Sequence, residues 1–449
     1  MAASIKGDGS PAPNRAARDD KTPVSFLDTN WSWSSPSSWP LSVRFLPFPI
    51  AFIVLFFGVY IQYFLSPSAS PMDSCIRDFD YGVPIPNVEK LATDLATHDW
   101  EQGTAAEALL ELHNPELSIF SPNPFPRHNI PCEGVREAKA LQFVLPKTQL
   151  HNQVLSSNTW GVSDPASLGV FTVLAAAATE NESPNTPYKS AAQRQADFLL
   201  NEAPRYENGA ISHRREVAEL WSDAMFMFPP FVAYWAIIAG EAGGTRTMKQ
   251  AVEQIGLYRD VLMITEGERK GAWRHIVGPS EMADPGAWST GNAWALYGMA
   301  RVRATLAGWT PGASLLREQI ASLDRWMAEI VGAAIRTDDD ESGLLRNYLG
   351  ETSWFGDTAG TALIAAGAYR LASFLESTAE REKVLAWAER KRKAVFAHVD
   401  AEGVAKPAVN SLKHAQRQPL DGRNPEGESF LLLLAAAWRD CICRGVCSR

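Results

Sequence analysis

The feature that most constrains this chain is the alternation of two kinds of helical segment. Segments 168–178, 225–238, 291–299, 360–375 and 430–438 are small and apolar on nearly every face. A helix without a polar side has to be buried all round. Between them lie 191–202, 315–334 and 381–399, which carry charge along one side and read as helices with one face in water. An inner set enclosed by an outer set predicts a closed double ring of helical hairpins, an all-α domain over residues 135–440. A long antiparallel bundle would not need the fully buried set.

In such a ring the loops that enter the inner helices converge at one end. The polar signatures fall there: SDPASLG, LWSDAMF, WSTGNAW, WFGDTAGT and PEGES, one at the start of each inner segment. They recur at intervals of about 60 to 70 residues, as hairpin pairs do. Loop ends on a rigid scaffold are where sites are usually built.

Asp223 is the acid with the most apolar neighbours, set between Trp221 and the run Met225, Phe226, Met227 and Phe228. Loss of hydration disfavours a charged carboxylate, so the sequence predicts a raised pKa and a general acid. The plain alternative is an N-cap, in which the side chain accepts from free backbone N–H groups of the helix that follows. Asp164, just before Pro165, reads from its neighbours as an N-cap, because Pro is favoured at a first helical position. Fifteen Trp residues, many beside Gly, Asn, Asp or His, suit sugar rings as well as helix packing. A hydrophobic share of 46% against 21% charged residues fits a large core, and a net charge of −9 argues against a nucleic-acid partner.

The N-terminal part is different. Residues 1–44 are rich in Ser, Pro, Asp and Asn and read as a disordered tail. Residues 45–65 carry no charge and, at about 1.5 Å per residue, can just cross a hydrocarbon core of about 30 Å. Pro47 and Pro49 shorten the unbroken helix. The expectation is a single signal-anchor, with Arg44 favouring a cytosolic N-terminus and a lumenal or extracellular main domain. Residues 66–134 then form a linker and N-terminal extension, and residues 441–449 a Cys-containing tail. On the oxidising side of a membrane, Cys75 is placed to bridge Cys132, two of Cys441, Cys443 and Cys447 can pair, and one thiol is left over.

The motifs ELWSDAMFM, GAISHR, GAWRHIVG, WSTGNAWALYGMARV, GLLRNYLGETSWFGDTAGTA and NPEGESFLLLLAAAWRD together resemble those of glycoside hydrolase families 88 and 105, over about residues 155–440. These families include the unsaturated glucuronyl and rhamnogalacturonyl hydrolases. The resemblance implies an (α/α)6 barrel of six hairpins, an oligosaccharide substrate ending in a C4=C5 unsaturated uronic acid, and cleavage by hydration of that bond. It gives Asp223 the protonation of C4 and Asp164 the orientation of sugar and water. His213 and His275 match pocket histidines, and Trp221, Trp288, Asn292 and Trp294 are further candidates to meet the sugar. Neither His stands in metal-ligand spacing with another His, and acid-catalysed hydration needs only water and a proton donor, so neither metal nor cofactor is expected. Thr290 departs from the pattern, because an Arg that pairs with the substrate carboxylate usually stands there. Arg214, Arg215, Arg274 and Arg346 are the candidates to supply that charge from other loops. Two competing readings remain: an ordinary inverting glycosidase with Asp223 as acid and Asp164 as base, and a carbohydrate-binding relative without activity. The oligomeric state is left open.

Overall fold

The computed structural model describes residues 71–158, 160–180 and 186–448. The expected tail at 1–44 and anchor at 45–65 lie outside the described residues. Among the described residues, no helix is long and apolar enough to cross a membrane.

After a short α1 (Pro71–Arg77), the helices alternate between an outer and an inner layer. The outer layer holds α2 (Ile85–Asp94), α4 (Lys139–Val144), α6 (Pro187–Asp197), α8 (Gly240–Leu262), α10 (Arg317–Arg336) and α12 (Thr378–Ala397). The inner layer holds α3 (Asp99–His113), α5 (Gly169–Thr179), α7 (Ala224–Trp235), α9 (Ser289–Gly308), α11 (Thr358–Ala372) and α13 (Pro425–Cys443). From α5 to α13 each inner helix packs on the next, α13 returns to α3, and α3 meets the turn Asp164–Leu168 that leads into α5, so the ring closes. Every residue of α11 is buried. Small residues set the inner spacing: a Cβ on Gly298 of α9 would lie 2.0 Å from the Met225 carbonyl oxygen of α7, and one on Gly367 of α11 2.5 Å from Leu296 Cγ.

The double ring agrees with the expected architecture, with two corrections. The ring begins at α2 and α3, within the stretch expected as linker and extension, instead of at residue 135. The helix α3 was missed as an inner helix because it carries Glu101, Glu107 and Glu111, all buried. Partners from the facing helices compensate two of these charges: Glu107 meets Arg301 at 2.7 Å, and Glu111 accepts from Tyr297 at 2.6 Å and pairs with Arg370. The cysteines give the other correction. Cys75 bonds to Cys443 and Cys441 to Cys447, leaving Cys132 free. The helix α1 packs against α13, which sets Cys75 against the C-terminal helix and not against Cys132.

Two short antiparallel strand pairs cover one end of the ring. Strand β1 (Leu220–Trp221) pairs with β2 (Ile276–Val277), and β3 (Leu345–Arg346) with β4 (Gly356–Asp357). They tie together loops that lead into the inner helices, and that end carries the site.

Candidate active site

A cavity of about 180 Å³ opens among the N-terminal ends of the inner helices. Three acids line it: Asp164 before α5, Asp223 before α7 and Glu426 in the first turn of α13. Its aromatic wall is Trp100, Trp160, Trp221, Trp288 and Trp294, with the imidazoles of His213 and His414 between them. Trp160, Met282 and Leu412 are exposed at its rim. Aromatic faces interleaved with carboxyl and imidazole groups are what a pyranose requires, since its ring faces are apolar and its edges hydrogen-bond.

Local pairing positions the acids. The β1–β2 register continues with Ser222 N donating to His275 O at 2.9 Å, which sets His275 beside Asp223. His275 Nε2 stands 3.4 Å from Asp223 Oδ2, and Ser222 Oγ donates to the same oxygen at 3.2 Å. Val162 N donates to His213 O at 2.8 Å, which brings Asp164 and His213 together, with Nε2 and Oδ1 3.9 Å apart. Ser163 Oγ and His213 Nδ1 lie 2.6 Å apart, and Trp221 stacks on the His213 ring with centroids 4.5 Å apart. Neither Asp223 nor Asp164 serves as an N-cap: no side-chain cap bond is made at the start of α7 or of the turn Asp164–Leu168. Both carboxyls are left to the cavity.

The electrostatics reverse one expectation. Burial raises Asp223, but the charge and hydrogen bonding of His275, with His213, outweigh it and hold this carboxyl below the usual Asp value. The apolar neighbours do not decide its proton because two imidazoles stand among them. Burial, with the charges of Asp99 and Asp223, instead pushes Asp164 well above the ordinary range. Glu426 is raised likewise, by burial first and then by Asp223 and Glu101. Burial lowers His275, but Asp223 and Asp284 outweigh it and leave it raised, whereas burial takes His213 down to about 4. The cavity therefore sets two raised carboxyls beside a lowered one.

A model of Glycosyl Hydrolase Family 88 matches residues 168–422. The chain belongs to this family. The family 88 chain resembles a possible member of the GH105 family from Klebsiella pneumoniae with a TM-score of 0.59 at 15% identity, over 84% of this chain and 94% of that one. A possible GH105 member from Salmonella enterica serovar Paratyphi A gives 0.58 at 16% identity, over 79% and 92%. An unsaturated glucuronyl hydrolase specific for heparin gives 0.53 at 11% identity, over 84% and 99%. At these identities the likeness shows the shared fold. Nothing among curated protein sequences matches the chain.

Of the residues singled out in this family 88 sequence, Asp164, Asp223, His213, Trp221, Trp288 and Trp294 line the cavity, and His275 lies behind Asp223. Two do not. Asn292 spends its amide on the backbone, donating to Trp273 O at 2.9 Å and Trp288 O at 2.8 Å and accepting from Trp273 N at 2.7 Å. Thr290 is buried outside the lining, its hydroxyl without a hydrogen-bond partner. Of the four candidate arginines, Arg214 stands at the rim, 3.9 Å from Met282 Sδ, and the other three are engaged elsewhere. Arg214 covers the Trp160 ring and Arg215 the Phe198 ring, Arg274 donates to Met263 O, and Arg346 pairs with Asp339 and Asp340.

Sequence reasoning missed Glu426, Trp100 and His414. The first stands in PEGES, one of the polar signatures, and its place at the head of an inner helix was the available signal. Trp100 was lost with α3. His414 gives no sequence signal, because its loop is brought in by distant groups: Asn347 donates to His414 O at 3.1 Å while accepting from Trp288 Nε1 at 2.9 Å. Asp357 holds the same loop by accepting from Val409 N at 2.8 Å.

Proposed function

We propose that this family 88 chain is an unsaturated uronyl hydrolase that cleaves by hydrating the C4=C5 bond of a terminal unsaturated sugar. The observation that carries the reading is one aromatic-walled cavity holding both Asp164 and Asp223, in which burial and the charges of Asp99 and Asp223 raise the Asp164 carboxyl. Protonation of an enol-ether carbon needs a carboxylic acid that is neutral before reaction and shielded from water. In this reading the Asp164 proton goes to C4, water adds at C5, and the water proton passes to Asp223. The C5 hemiketal then opens, breaking the C5–ring oxygen bond, and the C1 hemiacetal so formed collapses to an aldehyde and releases the neighbouring sugar. The resemblance gave the proton to Asp223, whereas the cavity favours Asp164 as its resting place. The likeness to an unsaturated glucuronyl hydrolase specific for heparin supports the same class of substrate. The two disulfides fit placement on the oxidising side of a membrane, which is part of the proposal.

One observation favours a second reading, the ordinary inverting glycosidase acting on a neutral sugar: among the described residues, no Lys or Arg lines the cavity. Ultraviolet absorbance of the conjugated uronate separates the two. With lyase-generated oligosaccharides and the full-length chain, absorbance falls for the wild type, and Asp223→Asn or Asp164→Asn slows that fall by at least about 100-fold. Release of reducing sugar from saturated substrates with no absorbance loss on unsaturated ones would select the inverting reading.

A further inference from the structure

An unsaturated uronate brings a carboxylate into this cavity, and a charge taken out of water costs several kcal/mol unless a partner of opposite sign receives it. Asp164, Asp223 and Glu426 line the cavity, and no Lys or Arg stands among the lining residues to receive it. Position 290 holds a buried Thr, Arg215, Arg274 and Arg346 are engaged elsewhere, and Arg214 stands at the rim over Trp160, paired with Glu219 at 3.7 Å. Beside the cavity, with His414 in its wall, stands instead a cluster that the sequence scatters over almost 140 positions, namely His275, Asp284 and His414. Their ligand atoms all lie within 4.8 Å of one another.

We propose that His275 Nδ1, Asp284 Oδ2 and His414 Nε2 form a three-ligand site for a divalent ion of the zinc class, with the open position taking the substrate carboxylate. The carboxylate role rests on the uronyl reading above, whereas the metal site stands on geometry alone. Two imidazoles and one carboxylate, leaving a fourth position free, make a donor set suited to zinc. Donors about a tetrahedral ion with bonds of about 2.0–2.1 Å stand about 3.3–3.4 Å apart. Asp284 Oδ2 is 3.0 Å from His275 Nδ1 and 3.5 Å from His414 Nε2, so it already sits near ligand spacing from both. The two imidazole nitrogens lie within 4.8 Å of each other, and their approach to ligand spacing completes the set.

The supporting shell is in place. A ligating imidazole ordinarily gives its other N–H to a carboxylate, which fixes its tautomer. His275 Nε2 faces Asp223 Oδ2 at 3.4 Å, so the ion and Asp223 would hold the ring from opposite sides. Tyr348 donates its hydroxyl to Asp284 Oδ2 and Gly286 N donates to Oδ1 at 3.0 Å, which fixes the carboxylate plane. His414 lines the cavity, which puts the cluster at its edge. The Arg usual at position 290 would thus be replaced in charge, though not in place.

The test begins with Zn²⁺ alone. Full-length protein stripped by a chelator is titrated by calorimetry, and one equivalent is expected to bind. His414→Ala and Asp284→Asn are each expected to weaken that binding by at least about tenfold. Thermal unfolding checks that the variants fold; should Asp284→Asn not, His414→Ala, whose side chain sits on a surface loop, carries the comparison. No zinc uptake by the wild type, or uptake unchanged in His414→Ala, overturns the site. The second arm compares an unsaturated disaccharide with its uronate methyl ester. Zinc removal is expected to raise KM at least about tenfold for the free acid and to leave the ester unchanged, one decade being about 1.4 kcal/mol. Equal KM values with and without zinc overturn the carboxylate role. Zinc binding at this site without absorbance loss on any unsaturated substrate would sink the uronyl reading and leave the metal site standing.

Discussion

Asn292 shows how a side chain beside a site can belong to the core. Its amide makes three hydrogen bonds to the backbone of Trp273 and Trp288, all fully buried. Removing it strands the N–H and C=O of Trp273 away from water, each worth about 1–3 kcal/mol, while Trp288 O keeps its bond from Asn292 N. Asn292→Ala is therefore expected to lose about 2–4 kcal/mol of stability in denaturant unfolding. A variant that unfolds like the wild type but shows a raised KM would return Asn292 to the substrate. The neighbouring acids teach the complementary point. The apolar run around Asp223 is visible in the sequence, but the proton is set by His275, brought in by strand pairing from about fifty residues away, so flanking residues misplace the raised pKa. Asp164 takes it because Asp99 and Asp223 add their charge to its burial.

At the scale of the element, the inner helices are readable where they are uniformly apolar and unreadable where they carry charge. Five of the six declare themselves through runs such as TALIAAGAYRLA, while α3 hides behind acids whose partners lie on other helices. The helix α13 carries a related conflict in its first turn. Glu428 is buried, accepts from Ala405 N at 3.2 Å through one oxygen, and leaves the other without a partner. Burial pushes its carboxyl up to about 8. The folded state therefore binds a proton that the unfolded state, near its ordinary value of 4.5, has released. Stability is highest below the unfolded value and falls as pH rises toward the folded one. Glu428→Gln removes that slope. Thermal melts across the series should find the variant equal to wild type near the acid end and more stable by about 1 kcal/mol or more above the folded pKa. Parallel melting curves for the two proteins would count against the shift.

The whole ring is held at the end away from the cavity by charges. Arg370 of α11 pairs with Asp440 of α13 at 2.7 Å and with Glu111 of α3, and lies 3.4 Å from the Tyr297 hydroxyl of α9. Arg439 continues the network by donating to Glu111 O at 2.7 Å and Leu112 O at 2.6 Å. Removing one partner of a buried ionic group leaves the others uncompensated, a loss of about 3–5 kcal/mol. Arg370→Met is expected to destabilise by that order in calorimetric unfolding, and adding Glu111→Gln should recover part of the loss. A single variant within 1 kcal/mol of wild type, by contrast, would mean that water or rearrangement satisfies the acids. What the sequence by itself determined was the double ring and the end at which its polar residues gather, because helical period and all-round apolarity are local properties of the chain. The tertiary structure decided which helix closes the ring, where the cysteines pair, which acid keeps its proton, and that His275, Asp284 and His414 meet. Each of these depends on contacts between distant segments, and the interaction of two charges depends on a separation and burial that only folding fixes.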